Sequence, residues 1–157
     1  MQTRKSPKHA TCDTECIACS HQTSLVLEEE GIAATFANPR RKELRVVRYD
    51  KCYFKSKGKQ ADYIVGSDQT IDVILELKGS DLKHARVQME ETLARWRVDP
   101  IHYPSIVCLI VYGHTFPRMR SNIGAIEYDF LTKQKTLLWI RENGKEKFSF
   151  RKLAGRR

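Results

Sequence analysis

No apolar run in this chain is long enough to cross a bilayer. The longest, Ile106 to Tyr112, falls far short of the ~20 residues a membrane-spanning helix needs. The N-terminal stretch MQTRKSPKHATCD carries no apolar block of the kind that drives secretion. No internal repeat is visible, which argues against a solenoid or propeller. These absences point to a cytoplasmic protein with no membrane partner.

What is present is a folded domain with a basic surface. The chain has 157 residues, 41% of them hydrophobic, enough to bury a core without disulfides. Its formal charge is +9, which favours an anionic partner, and nucleic acid is the commonest one. Much of the charge is concentrated in one segment holding Arg40, Arg41, Lys42, Arg45, Arg48, Lys51, Lys55, Lys57 and Lys59, interleaved with Tyr49, Tyr53 and Phe54. A solvated basic loop and edge strand would also explain any one of these residues. As a group, Arg40, Arg41, Lys42, Arg45, Arg48, Lys55, Lys57 and Lys59 are read as phosphate contacts.

Without a secretory leader, the five cysteines are expected to be reduced thiols or ligands. Cys12, Cys16 and Cys19 form a C-x3-C-x2-C cluster flanked by His9 and His21. The spacing matches that of radical enzymes using S-adenosylmethionine, but the chain is too short for their barrel and has no Gly-rich cofactor loop after the cluster. A structural zinc held by three thiolates and an imidazole is the lesser alternative, because the usual distant Cys/His pair is missing. Free thiols in a loosely ordered arm are the reading preferred here. Cys52 and Cys108 read as core cysteines.

Residues 1–22 are therefore taken as an N-terminal extension with the cysteine cluster, and residues 23–157 as the folded domain. LVLEEEGIAATF fits either a short helix carrying Glu28, Glu29 and Glu30 or a strand ending at Gly31. Leu44 to Tyr49, Ala61 to Val65 and Ile71 to Leu77 read as adjacent antiparallel strands separated by Lys57-Gly58-Lys59 and Gly66-Ser67-Asp68. Within the third strand, Glu76 and Lys78 share one face and Val73, Leu75 and Leu77 the other, so the aliphatic face is expected to be the buried one. After Gly79 the period becomes helical. Ser80 or Asp81 offers an N-cap, and Leu82, Ala85, Met89, Leu93 and Trp96 form a core stripe with His84, Gln88 and Arg95 on one flank. Ser105 to Tyr112 reads as a buried strand parallel to the Glu76 strand, reached by a right-handed crossover. From Ile123 to Leu153, AIEYDFL, TLLWI and KFSFRKL suggest a C-terminal hairpin or meander ending in a basic tail.

A carboxylate and an ammonium that close a hydrophobic strand need a partner or a metal. With Asp62 opening the preceding strand, Asp62, Glu76 and Lys78 are the candidate site, against the alternative of an ordinary ion-pair cluster at a sheet edge. Asp81-Leu82-Lys83 repeats the local pattern at a helix start and is a decoy. Asn38 and Asp50 read as turn residues.

This order, antiparallel strands bearing Asp62 and then Glu76-Leu77-Lys78, a helix with Gln88 and a returning buried strand, resembles the PD-(D/E)XK phosphodiesterase superfamily. The likeness covers roughly Phe36 to Tyr112. FANP at Phe36 to Pro39, Asp50-Lys51-Cys52, Asp62-Tyr63 and ELKGSDLKHA look like small bacterial members of it. Ala61 stands where the superfamily's name has proline. The resemblance implies an α/β fold of the restriction-endonuclease-like type, with a mixed central sheet flanked by helices. It implies a nuclease acting on DNA in preference to RNA. In it Asp62, Glu76 and the Leu77 carbonyl would bind Mg²⁺ or Mn²⁺, Lys78 would orient the attacking water or offset developing charge, and Gln88 would position substrate or water. It also implies a homodimer where both strands are cut. The competing function is a non-catalytic protein on the same fold that binds nucleic acid or another partner.

Overall fold

The computed structural model describes residue 12 and residues 14–58, 60–113 and 122–155, with Lys59 among those outside. Among the described residues, nine strands and three helices follow in chain order: β1 Ile17–Ser20, β2 Ser24–Glu29, β3 Ile32–Ala37, β4 Leu44–Arg48, β5 Tyr63–Ser67, β6 Ile71–Lys78, α1 Leu82–Trp96, β7 Ser105–Tyr112, α2 Ile123–Gln134, β8 Leu138–Glu142, β9 Phe148–Ser149 and α3 Phe150–Leu153. A six-stranded mixed sheet has the order β1-β4-β5-β6-β7-β8, and a second, three-stranded sheet runs β2-β3-β9. β1, β4, β5 and β6 pair antiparallel, whereas β6, β7 and β8 pair parallel. The described residues thus make one α/β domain.

The three central antiparallel strands and the returning parallel strand follow the hydrophobic pattern. The expectation of one buried aliphatic face is corrected, because every β6 residue except Lys78 is buried. Ile74 and its neighbours Ile64, Cys108 and Ile110 meet the α1 stripe of Leu82, Ala85, Met89, Leu93 and Trp96. On the opposite face Val65, Val73, Leu75 and Leu109 meet Ile32, Ala34 and Phe36 of β3. A central sheet covered on both sides needs apolar side chains pointing both ways, and β6 supplies them. Asp81 caps α1, its Oδ1 accepting from the His84 backbone N–H at 3.0 Å.

The ambiguous acidic segment is a hairpin. β2 and β3 pair from Ser24–Ala37 to Glu29–Ile32, and Glu30 and Gly31 turn with φ of 50° and 82°. Two residues at positive φ match the twist of the flanking strands, which is why the turn suits a glycine. The turn between β5 and β6 sits one step later than the sequence suggests, at Asp68 and Gln69, with φ of 53° and 55°. Gly66 is inside β5 for a different reason. A Cβ there would lie 2.4 Å from the Tyr103 ring and 2.7 Å from Asp72 Oδ1.

That close approach belongs to a buried polar node. Arg45 Nη2 meets Asp72 Oδ1 at 2.6 Å, and Arg45 Nη1 donates to the Ile101 carbonyl at 2.7 Å. Asp72 Oδ2 accepts from Trp96 Nε1 at 2.9 Å and from the Tyr103 N–H at 2.7 Å. The guanidinium lies 3.8 Å from the Tyr103 ring centroid. β4, β6, the end of α1 and the approach to β7 are locked together by one carboxylate. Arg45 was expected to contact phosphate, and this corrects it: at 1% exposure it is a structural cation.

Further expectations fail at both ends of the chain. AIEYDFL lies inside α2 and is not a strand, because Ile123, Ile126 and Phe130 recur at helical spacing and pack on the α1 side of the sheet. With that helix as a crossover, β8 joins β7 in parallel, and β9 joins β3 of the other sheet, so there is no C-terminal hairpin or meander. At the other end, the presumed extension contains β1, whose Ile17 is buried opposite Val47 of β4. Free thiols are likewise corrected: Cys12 is bonded to Cys19 and Cys16 to Cys52. The β1–β4 pairing brings Cys16, whose carbonyl accepts from the Arg48 N–H at 2.9 Å, beside the segment after β4 that carries Cys52. Cys52 is therefore no core cysteine, while Cys108 is free and buried as expected. Among the described residues no helix is long and apolar enough to cross a membrane.

Candidate active site

Asp62 immediately precedes β5, and Glu76 lies near the end of β6, on the face turned towards α1. The β5–β6 register, in which Tyr63 opposes Leu75, carries Asp62 up to the Glu76-Leu77 step. Asp62 Oδ2 accepts from the Leu77 N–H at 2.9 Å, and the Asp62 and Glu76 carboxyls lie close enough for each to shift the other's ionisation. Both line a cavity of about 540 Å³ that also meets Lys78 and Gln88. The sheet and α1 together therefore bring all four side chains singled out from the sequence to one cavity.

The electrostatics of this pair are unusual. Glu76 is 2% exposed and its Oε2 has no hydrogen-bond partner among the described residues. Burial, followed by the neighbouring Asp62 charge, pushes the Glu76 carboxyl up to about 10, and Lys78 only partly offsets this. Burial also raises Asp62, against the Leu77 hydrogen bond. Two carboxyls this close in a desolvated position cannot both ionise cheaply unless a cation joins them.

Much of the remaining cavity wall comes from the acidic segment, whose sequence fits either a helix or a strand, and from the segment after β4 that carries Asp50. The β2–β3 turn brings Glu29, Glu30 and Gly31 to the site. It is held there by Asn143, whose Oδ1 accepts from the Ala33 N–H at 3.0 Å and whose Nδ2 donates to the Gly31 carbonyl at 3.3 Å. Glu29 accepts a short hydrogen bond from the Tyr63 hydroxyl. Burial first, and then this bond, raises the Tyr63 phenol to about 12. Asp50 and Lys51 enter the cavity from the segment after β4, which Tyr53 and Phe54 fold back through N–H bonds to the Arg48 and Tyr49 carbonyls, both at 2.9 Å. The acidic run and the Asp50-Lys51 dipeptide were visible in the sequence, but nothing local said that Glu29 faces the site.

The polar flank of α1 also has work to do. Gln88 Nε2 donates to the Gln60 carbonyl at 3.1 Å, while its Oε1 is buried and unpartnered among the described residues. Arg95 stacks 4.3 Å from the Phe54 ring centroid. The Ala61 N–H donates to Thr92 Oγ1 at 2.8 Å, a bond a proline at this position could not make. Asn38 is a turn residue, as expected, binding the Lys42 N–H and two backbone carbonyls.

The basic segment does not form one patch. Arg48, Lys51, Lys55 and Lys57 are exposed on β4's end and the loop that returns to Asp62. Arg40, Arg41 and Lys42 are exposed at the opposite end of the sheet, where Lys42 pairs with Asp68 at 3.6 Å beside the β5–β6 turn. The length of β6 separates the two groups by roughly 20 Å. Lys59 lies outside the described residues. Comparison with protein-family models, with curated proteins and with solved structures finds no match.

Proposed function

We propose that this protein is a divalent-metal-dependent nuclease of the PD-(D/E)XK type, built on a restriction-endonuclease-like arrangement of its mixed sheet, with DNA as the favoured substrate. The observation that carries the reading is the buried Glu76 oxygen, without a hydrogen-bond partner among the described residues, beside Asp62 in the wall of the cavity that Lys78 and Gln88 also line. A hard dication suits that donor set: carboxylate oxygens in a part-open pocket bind Mg²⁺ or Mn²⁺, and Asp62, Glu76 and the Leu77 carbonyl would hold it. When bound, such an ion lowers the pKa of a coordinated water and offsets charge on a phosphodiester.

The chain's own residues do the rest. Asp62 is oriented by the Leu77 N–H, so one of its oxygens is committed to the backbone and the other is directed by it. Lys78, at the strand end and part-exposed, stands where an ammonium would offset charge building on a phosphoryl oxygen. Its three N–H donors also suit it to orienting a water. Gln88, fixed through its Nε2, has a free amide oxygen that would accept from substrate or water. Lys51, which lines the cavity, and the exposed Arg48, Lys55 and Lys57 near it in the chain would track the nucleic-acid backbone.

The test is cleavage of single-stranded, duplex and branched DNA, with RNA alongside, in Mg²⁺ or Mn²⁺, by wild type, Glu76→Ala and Lys78→Ala. Cutting by wild type and by neither variant is the expected result. No cutting, with equal nucleic-acid binding by all three proteins, would leave a non-catalytic binding protein.

A further inference from the structure

The two disulfides have different neighbours. Cys16–Cys52 ties the start of β1 to the segment that carries Asp50 and Lys51. The Cys12–Cys19 pair instead lies against Glu43. Its two sulfurs and a Glu43 carboxylate oxygen all sit within 4.8 Å of one another, and all three residues are part-buried. Register explains the meeting. Cys19 opposes Arg45 and Ser20 opposes Leu44 in the β1–β4 ladder, so His21 and Glu43 are the next residues on the two strands. Alternation places Cys19 and His21 on the same face.

His21 adds an independent sign. Its Nδ1 lies 3.2 Å from the Arg41 carbonyl oxygen. A carbonyl only accepts, so Nδ1 is the donor in this contact, and it is Nε2 that would offer a lone pair to a metal. An imidazole anchored through one nitrogen to a backbone carbonyl is the arrangement that orients histidine ligands in metal sites. Once reduced, Cys12, Cys19 and Glu43 offer two thiolates and a carboxylate to one ion, a softer donor set than the all-oxygen one around Asp62; the exposed His21 ring lies outside that group, one residue beyond β1, and reaches it by a side-chain rotation.

We propose that this cluster is a redox-gated zinc site: once the Cys12–Cys19 disulfide is reduced, Cys12, Cys19 and Glu43 bind Zn²⁺, with His21 as the fourth ligand. The opening step is thiol–disulfide exchange with a dithiol. The dithiol loses two electrons and two protons and becomes a disulfide, while the Cys12–Cys19 bond breaks to give two thiols. Zinc then displaces those two thiol protons to solvent. Oxidation by a disulfide reverses both steps and expels the ion. The site lies roughly 13–20 Å from Asp62 along the strand direction and does not depend on the nuclease reading.

The experiment uses the full chain, reduced with a phosphine, loaded with Zn²⁺, desalted and assayed for bound metal. The expected result is one tightly held zinc per chain, released on reoxidation, with thiolate-to-cobalt charge transfer when Co²⁺ replaces it. Cys19→Ser is expected to abolish binding. Glu43→Gln and His21→Ala, which leave both sulfurs in place and disturb the fold least, are expected to raise the dissociation constant by roughly 10- to 100-fold. Cys52→Ser and Glu76→Gln are expected to keep the zinc. The proposal is overturned if the reduced wild type folds by circular dichroism yet holds no zinc, or if Glu43→Gln and His21→Ala bind as tightly as wild type. Loss of the metal in Glu76→Gln but not Cys19→Ser would assign it to the other site.

Discussion

In the metal-free protein, replacing Glu76 by Gln should raise stability at neutral and alkaline pH and flatten its pH dependence. Glu76 titrates near 4.5 when unfolded and near 10 in the folded chain, because burial and the Asp62 charge disfavour its ionised form. A raised folded pKa means that the folded state binds the proton more tightly. The corresponding stability is complete below about pH 4.5 and is lost as pH rises towards 10. Each pH unit in that window costs about 1.4 kcal/mol. Between pH 5 and pH 8 the wild type should therefore lose about 4 kcal/mol through this one group. Gln has nearly the shape of a protonated Glu and can donate its amide hydrogen to Asp62, but it has no proton to lose. Urea unfolding in EDTA at pH 5, 6, 7 and 8 measures the difference. The two proteins should be close at pH 5, with the variant ahead by about 2–4 kcal/mol at pH 8. Parallel stability curves for the two proteins would refute the argument, since they would mean that Glu76 ionises without cost in the folded state.

The same pair predicts that Mg²⁺ or Mn²⁺ at 100 times its dissociation constant stabilises the wild type by about 2.7 kcal/mol, seen as a higher melting temperature. Asp62→Asn should erase that gain, and an unchanged gain would remove Asp62 from the ligand set. Asp72→Ala should cost about 3–5 kcal/mol in urea unfolding, because it leaves Arg45 charged, buried and without its ion-pair partner. A loss below 1 kcal/mol would show that solvent reaches the guanidinium. Gly66→Ala should cost about 1–3 kcal/mol by the same assay, because the new methyl meets the Tyr103 ring and the Asp72 carboxylate. Lys51→Ala should weaken nucleic-acid binding and reduce its salt slope more than Arg40→Ala does, since only Lys51 borders the cavity; equal effects would place the binding surface elsewhere.

Local pattern was enough where an element's chemistry is contained within it. The alternation and β-branching of β4 to β7, the Asp81 cap and the α1 stripe all express short-range physics, so those elements were legible, and with them the Asp62, Glu76, Lys78 constellation. The errors arose where a segment's role depends on a distant partner. AIEYDFL has both aromatic and helical character, and it became α2 because Phe130 has a pocket beside α1. Arg45 looks like its basic neighbours in the sequence, but Asp72, distant along the chain, takes it into the core.

By itself the sequence determined β4 to β7 and α1, that Asp62 opens one strand where the Glu76-Leu77-Lys78 step closes the next, and that the chain is basic. Only the tertiary structure decided that β6 is covered on both faces, that Glu29, Asp50 and Lys51 join the cavity, and that the basic segment splits between opposite ends of the sheet. It also decided how the cysteines pair, which in turn separates a soft donor cluster beside Glu43 from the hard one at Asp62. Side-chain periodicity is set by bonds within a few residues, whereas burial, ionisation and donor sets depend on which strands meet, and that meeting is fixed by the packing of the whole chain.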